Sequence, residues 1–142
     1  DAMKEAGLEI LDITPPAREK AEESIDKQVD LFCSVLSRPD RPTAMFFYWS
    51  YSVPALYSAA TRLNLQIPSD LSVITFAGET DHRVGIYATA MVEPETDMAR
   101  EAVAMLRKKI KTKKENIPSK RLEFHFLDMK TCSRVNENTP AT

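Results

Sequence analysis

Three groups of side chains in this 142-residue sequence have types that could do chemistry. Trp49 and Ser50 end the apolar run that starts at Ala44, and pair a large π surface with a hydroxyl, the combination that stacks on and hydrogen-bonds a flat or sugar-like ligand. Glu79, Asp81 and His82 share the loop AGETDHRVG and have the composition of an acid–base or metal site. His125, Asp128 and Cys132 sit close together near the C-terminus with metal-ligand chemistry. Each group also has a plainer account. An aromatic at a strand end is often core, and polar loop residues are ordinarily solvated. On a strand, positions 125 and 128 point to opposite faces, which argues against zinc. No G-x-G-x-x-G, Walker loop, G-x-S-x-G or C-x-x-C occurs, and there are only three glycines, so a phosphate cradle or nucleophile elbow has no support. Neither an enzyme nor a metal or other cofactor is expected.

The elements that would position these residues follow from periodicity. Ala2, Met3 and Ala6 read as the end of a helix capped by Gly7, so that Asp1 looks like a cut point within a longer protein. LEILDI at residues 8–13 is a strand. Thr14, Pro15 and Pro16 then open a helix whose apolar positions are Ala21, Ile25, Val29, Phe32 and Leu36. Residues 43–49 form a strand apolar on every position from Ala44, which predicts burial on both faces, as in a parallel sheet covered on two sides. A helix with Pro54 in its first turn turns Val53, Leu56, Ala59, Ala60 and Leu63 inward. Strands follow at LSVITF and YATAMV. Pro94 opens a long helix with Met98, Ala102, Met105, Leu106 and Ile110 on one stripe, and RLEFHFLDM is a last, alternating strand. The polar tail, residues 133–142, is expected to fray. Strands alternating with helices predict an α/β protein with a three-layer, doubly wound, mostly parallel sheet. In such a sheet ligands bind at the carboxyl ends of the strands, here Pro15, Trp49–Ser50, Ala77–Glu79 and Glu93.

Composition narrows the partners. Nineteen basic against 21 acidic residues give a net charge of −2, which excludes a generally basic nucleic-acid surface. The run RKKIKTKK closes the long helix, where cations complement the backbone dipole, and reads as a solvated face. No apolar run reaches the roughly 20 residues of a membrane span, and no secretory signal is visible. Cys33 and Cys132 read as two buried, reduced thiols.

Arg41-Pro42-Thr43-Ala44, Ile67-Pro68-Ser69-Asp70-Leu71-Ser72-Val73 and Phe76, and then Thr89, Pro94, Met98, Ala102 and Val103, stand in an order and spacing that resemble the effector-binding core of the LacI/GalR family. The likeness runs over residues 1–132. It implies the Rossmann-like C-terminal subdomain of a type I periplasmic-binding-protein fold, with the helix at 94–111 belonging to the N-terminal subdomain. That helix's apolar stripe then needs another partner, such as a second chain. The departures bear on function. Trp49-Ser50 replaces the family's effector-facing Asn-Asp pair, Thr75 and Ala77 replace the Gly and first Asp of G-F-D-D, and Glu93 replaces a Gln that often touches effector. The closing R-E-S block is only echoed by Met129-Lys130-Thr131-Cys132.

The resemblance thus implies a non-enzymatic, cytoplasmic, dimer-forming effector sensor of a transcriptional regulator. Operator DNA would be reached only through a helix-turn-helix absent from this sequence. The effector would be a small molecule, a sugar or something flatter and less hydroxylated, held near Pro15, Trp49, Ser50, Ala77 and Glu93. Dimer contacts would come from residues 53–63 and 79–85, with Pro54, Tyr57 and Asp81 among them. A solute receptor of the same fold, which would need a signal peptide, is one alternative. A regulator domain that has lost its ligand and serves only to dimerise is another.

Overall fold

A computed structural model describes residues 5, 7, 25–79, 88–113 and 116–134. Within them the elements are α1 (Ile25–Leu36), β1 (Ala44–Phe47), a 3-10 turn (Ser50–Ser52), α2 (Val53–Arg62), β2 (Ser72–Gly78), β3 (Thr89–Glu93), α3 (Glu95–Thr112) and β4 (His125–Leu127). The strands form one sheet in the order β1-β2-β3-β4. The first three are parallel, and β4 runs antiparallel to β3. The register sets Ala44 beside Ser72, Ile74 beside Thr89, and Val92 beside His125.

The α/β architecture expected from the alternation of periods is the one observed. In α1, Val29, Phe32, Val35 and Leu36 recur at three- and four-residue steps and are buried. In α2 the buried set is Val53, Ala55, Leu56, Ala59 and Ala60, with Pro54 in the first turn, where its missing N–H costs nothing. The two helices lie together on one face of the sheet and seal a core with Met45, Phe47, Leu71, Val73 and Ala88. Phe32 meets Phe47 edge-on with ring centroids 5.7 Å apart. Full burial of each such side chain contributes about 1.5–3 kcal/mol.

Side-chain groups tie the loops to this core. Arg41 Nη1 donates to the Asp70 carbonyl at 2.9 Å, and the Asp70 carboxylate accepts from the Gln66 N–H at 2.8 Å. The loop between contains a cis Ile67–Pro68 bond. At the amino end of the sheet, the buried Thr131 hydroxyl donates to the Val73 carbonyl at 2.7 Å and accepts from the Thr89 N–H at 2.8 Å. These bonds satisfy a main-chain donor and acceptor that the ladder leaves over.

Four expectations are corrected. The strand at 43–49 is shorter, Ala44–Phe47, and alternates exposed and buried because α1 and α2 share one face. On the other face Phe46, Phe124 and Phe126 are exposed, and no described helix covers them. The strand at 121–129 pairs only over His125–Leu127, the stretch that lies beside β3. Cys132 is an exposed thiol, not a buried one, while Cys33 is half-buried and both are free. The tail expected to fray from Ser133 is tied down at that residue: its N–H donates to Ser72 Oγ at 3.1 Å and its hydroxyl to the Pro68 carbonyl at 2.8 Å. The expected strand at 8–13 and the helix start at Thr14-Pro15-Pro16 lie outside the described residues.

Candidate functional site

Because β1, β2 and β3 are parallel, their carboxyl ends open on one edge of the sheet, the edge where α/β folds bind ligands. After β1 the chain does not enter a helix directly. Tyr48 and Trp49 bend away from the strand at the rim, with Trp49 extended at φ −122° and ψ 129°. The 3-10 turn Ser50–Ser52 then feeds α2. Tyr48 and Trp49 are 63% and 54% exposed and stand perpendicular, with centroids 4.8 Å apart, an aromatic corner open to solvent. Ser50, next in sequence, is buried and starts the 3-10 turn.

The second strand ends in Gly78 and Glu79. Gly78 lies directly beneath the Glu95 carboxylate: a Cβ there would come 2.5 Å from Glu95 Oε1. Glu79 accepts from the Thr96 N–H at 3.1 Å and from the Thr96 hydroxyl, so its carboxylate caps the amino end of α3. This anion serves the positive end of the helix dipole. The third strand ends in Glu93, half-buried and in register with Gly78, and Pro94 begins the turn into α3. The rim thus presents an aromatic corner, a buried hydroxyl and two strand-end carboxylates, one already engaged by a helix. The arrangement suits stacking and hydrogen bonding of a small molecule. Among the described residues no group of three His, Cys, Asp or Glu side chains could hold a metal ion.

The predicted site residues fall unevenly on this edge. Trp49, Ser50 and Glu93 stand at strand ends. Ala77 is 5% exposed and packs with Ala90, Val92 and Leu127 in a second, smaller core. Pro15 and Asp81, like His82, lie outside the described residues. Pro54 is exposed on α2, and Tyr57 packs half-buried against the main core, where burial pushes its phenol above the ordinary value of 10.0. His125 pairs with Val92 on β4, whereas Asp128 binds Lys130. Three residues escaped sequence reasoning. In the sequence Tyr48 reads as strand, Thr96 carries no motif, and Thr75 differs only as a replacement in the family pattern. The Thr75 hydroxyl, buried at 1% exposure, lies 3.1 Å from the Phe47 carbonyl and bridges β2 to the end of β1.

The periplasmic binding protein-like domain model matches residues 1–126 of the chain. The chain belongs to this family. Several solved relatives of the periplasmic binding protein-like fold are LacI-family transcriptional regulators. One from Bifidobacterium animalis subsp. lactis superposes with a TM-score of 0.67 at 18% identity, over 80% of this chain and 42% of that one. One from Enterococcus faecium with bound ribose gives 0.63 at 17% identity, over 80% and 42%. The regulator CelR in its cellobiose complex gives 0.64 at 22% identity, over 92% and 39%. The chain therefore spans about two fifths of the length of these relatives. No curated protein sequence matches it. No described helix is long and apolar enough to cross a membrane.

Proposed function

We propose that the chain is the effector-sensing and dimerising part of a LacI-type transcriptional regulator, acting in the cytoplasm without catalysis. The observation that carries this reading is the strand-end rim: Tyr48, Trp49, Ser50 and Glu93 gather on the edge of a family fold whose relatives were solved with ribose and cellobiose. Trp49 stacks on the effector, Ser50 and Glu93 hydrogen-bond it, and Ala77, buried behind the rim, leaves no carboxylate there. Pro15 belongs to the same proposed effector-binding set. Sites built to pair sugar hydroxyls reject analogues lacking them by about 10⁴-fold or more. A rim with Trp49 and Ala77 where the family has Asn and Asp accordingly favours a flatter or less hydroxylated effector. Binding shifts the balance of open and closed clefts and is relayed to operator DNA by a helix-turn-helix outside this sequence. Pro54, Tyr57 and Asp81 contribute to a homodimer contact.

Trp49 is the single tryptophan of the sequence, so its fluorescence reports directly on the rim. Titration with pentoses, hexoses, disaccharides and aromatic or deoxy analogues should shift the emission for the less hydroxylated compounds, and Trp49→Phe should remove the signal while weakening binding measured by calorimetry. Tight calorimetric binding of a simple hexose would defeat the preference. A second reading, a domain that only dimerises, is supported by Ala77 lying within a core rather than facing solvent. It predicts silence across the whole panel.

A further inference from the structure

The segments that form the rim are one-sided in charge. Residues 48–54, 76–79 and 91–97 contain Glu79, Glu93, Glu95 and Asp97 but no Lys, Arg or His. Two of these carboxylates are engaged within the fold, Glu79 as the cap of α3 and Asp97 with Arg100. Glu93, half-buried, and Glu95 have no hydrogen bond or ion pair among the described residues. Register brings this pair towards the aromatic corner. The Phe76 ring meets Tyr48 at 5.9 Å and Phe46 at 5.4 Å, so the three share one face of the sheet. Alternation puts Gly78, two residues beyond Phe76, on that face, and Glu93 is its partner on β3. The Glu95 carboxylate lies against the place where Gly78 has no side chain. Across two strand spacings, about 10 Å, the rim thus runs from Tyr48 and Trp49 past a bare glycine to two free carboxylates.

We infer that the ligand of this rim is an organic cation, a flat molecule carrying an amidinium or ammonium group. The inference rests on the effector-sensing reading and assigns the charge of the effector. The cationic N–H groups donate to the Glu93 and Glu95 carboxylates, and the body of the ligand lies against Trp49 and Tyr48, whose ring faces are negative. A neutral ligand in the same place would strip water from two carboxylates without supplying a counter-charge, which disfavours it. A Gln at position 93, the residue of the family pattern, would make no such demand. The positive end of the α3 dipole would otherwise draw an anion to this edge, but Glu79 already answers it.

Calorimetric titration of the full 142-residue chain at neutral pH and low salt, with benzamidine and its neutral near-isostere benzamide, reads the charge preference directly. Benzamidine should bind at least about tenfold more tightly, and the margin should narrow as salt is added. Glu93→Gln with Glu95→Gln should bring the two probes close to equality, whereas Trp49→Ala should weaken both. Circular dichroism confirms that each variant is folded. Benzamide binding as tightly as benzamidine overturns the inference and leaves a rim for neutral effectors standing. A benzamidine preference that survives the double Gln substitution also overturns it, because the cation is then held elsewhere. If neither probe binds, the cationic assignment falls. A Trp49 emission shift with a neutral sugar or aromatic compound then keeps the effector-sensing reading, and silence there removes both.

Discussion

The two faces of the sheet are built from the same kinds of residue and end in opposite states. On one face α1 and α2 bury Val29, Phe32, Leu56 and Ala59 to 2% exposure or less against Met45, Phe47 and Val73. On the other, Phe76 meets the rings of Phe46, Tyr48 and Phe124, Phe126 stands exposed, and helix α3 buries none of its residues. A hydrophobic side chain stabilises only to the extent that its surface leaves water, so the same residue type weighs heavily on one face and lightly on the other. The covered face holds the domain together. Among the described residues, nothing covers the open face or the stripe of α3.

The comparison is broken most directly by truncating matched aromatics. Phe32→Ala should cost about 3–5 kcal/mol in urea unfolding, whereas Phe126→Ala should stay within about 0.5 kcal/mol. Equal losses would mean that the open face is covered in solution. Next in size is the threonine tie at the amino end of the sheet. Thr131→Val leaves the Thr89 N–H without its side-chain acceptor and removes one of two donors to the Val73 carbonyl, which keeps Cys132 Sγ at 3.3 Å, and should destabilise by about 1–3 kcal/mol in the same measurement. Glu79→Ala removes the cap of α3 and should cost about 1 kcal/mol. Hydrogen exchange would show that loss concentrated in the first turns of α3 while the α1–α2 face is unchanged, and uniform loss would contradict it.

The smallest effect is electrostatic and sits in the loop after α1. The Arg38 guanidinium hydrogen-bonds Asp40 at 2.7 Å and 3.0 Å and holds its carboxyl below the ordinary value of 3.8. A carboxylate depressed in the folded state adds stability that is present above its unfolded value and lost as pH falls through its folded value. An NMR titration of Asp40 should therefore move up towards 3.8 in Arg38→Ala, with little change in stability at neutral pH.

Much of this was legible before any coordinates. Alternation between β2 and its neighbours and the 3.6-residue stripes of α1 and α2 follow from the spacing of apolar residues, and the positions that echo the family loops, Arg41 and Asp70, do bind each other. The candidate site was legible only in part. Trp49, Ser50 and Glu93 were found by combining an architecture rule with strand ends. Ala77 fell in a core, and Tyr48 was hidden inside an apolar run that could not reveal which of its residues face solvent. Thr96 and Thr131 gave no signal, because a hydroxyl becomes a cap or a tie only when a distant strand end comes within hydrogen-bond reach.

By itself the sequence determined the order of strands and helices, because periodicity is a local property of neighbouring residues. It also determined the polarity of α3, acidic at its start and basic at its end. Only the tertiary structure decided which face of an all-apolar strand is buried, that Glu79 serves a helix rather than standing free in a loop, and that the stripe of α3 is left open. Burial and hydrogen-bond partnership depend on what the rest of the chain brings alongside, and that is a matter of contacts far apart in sequence.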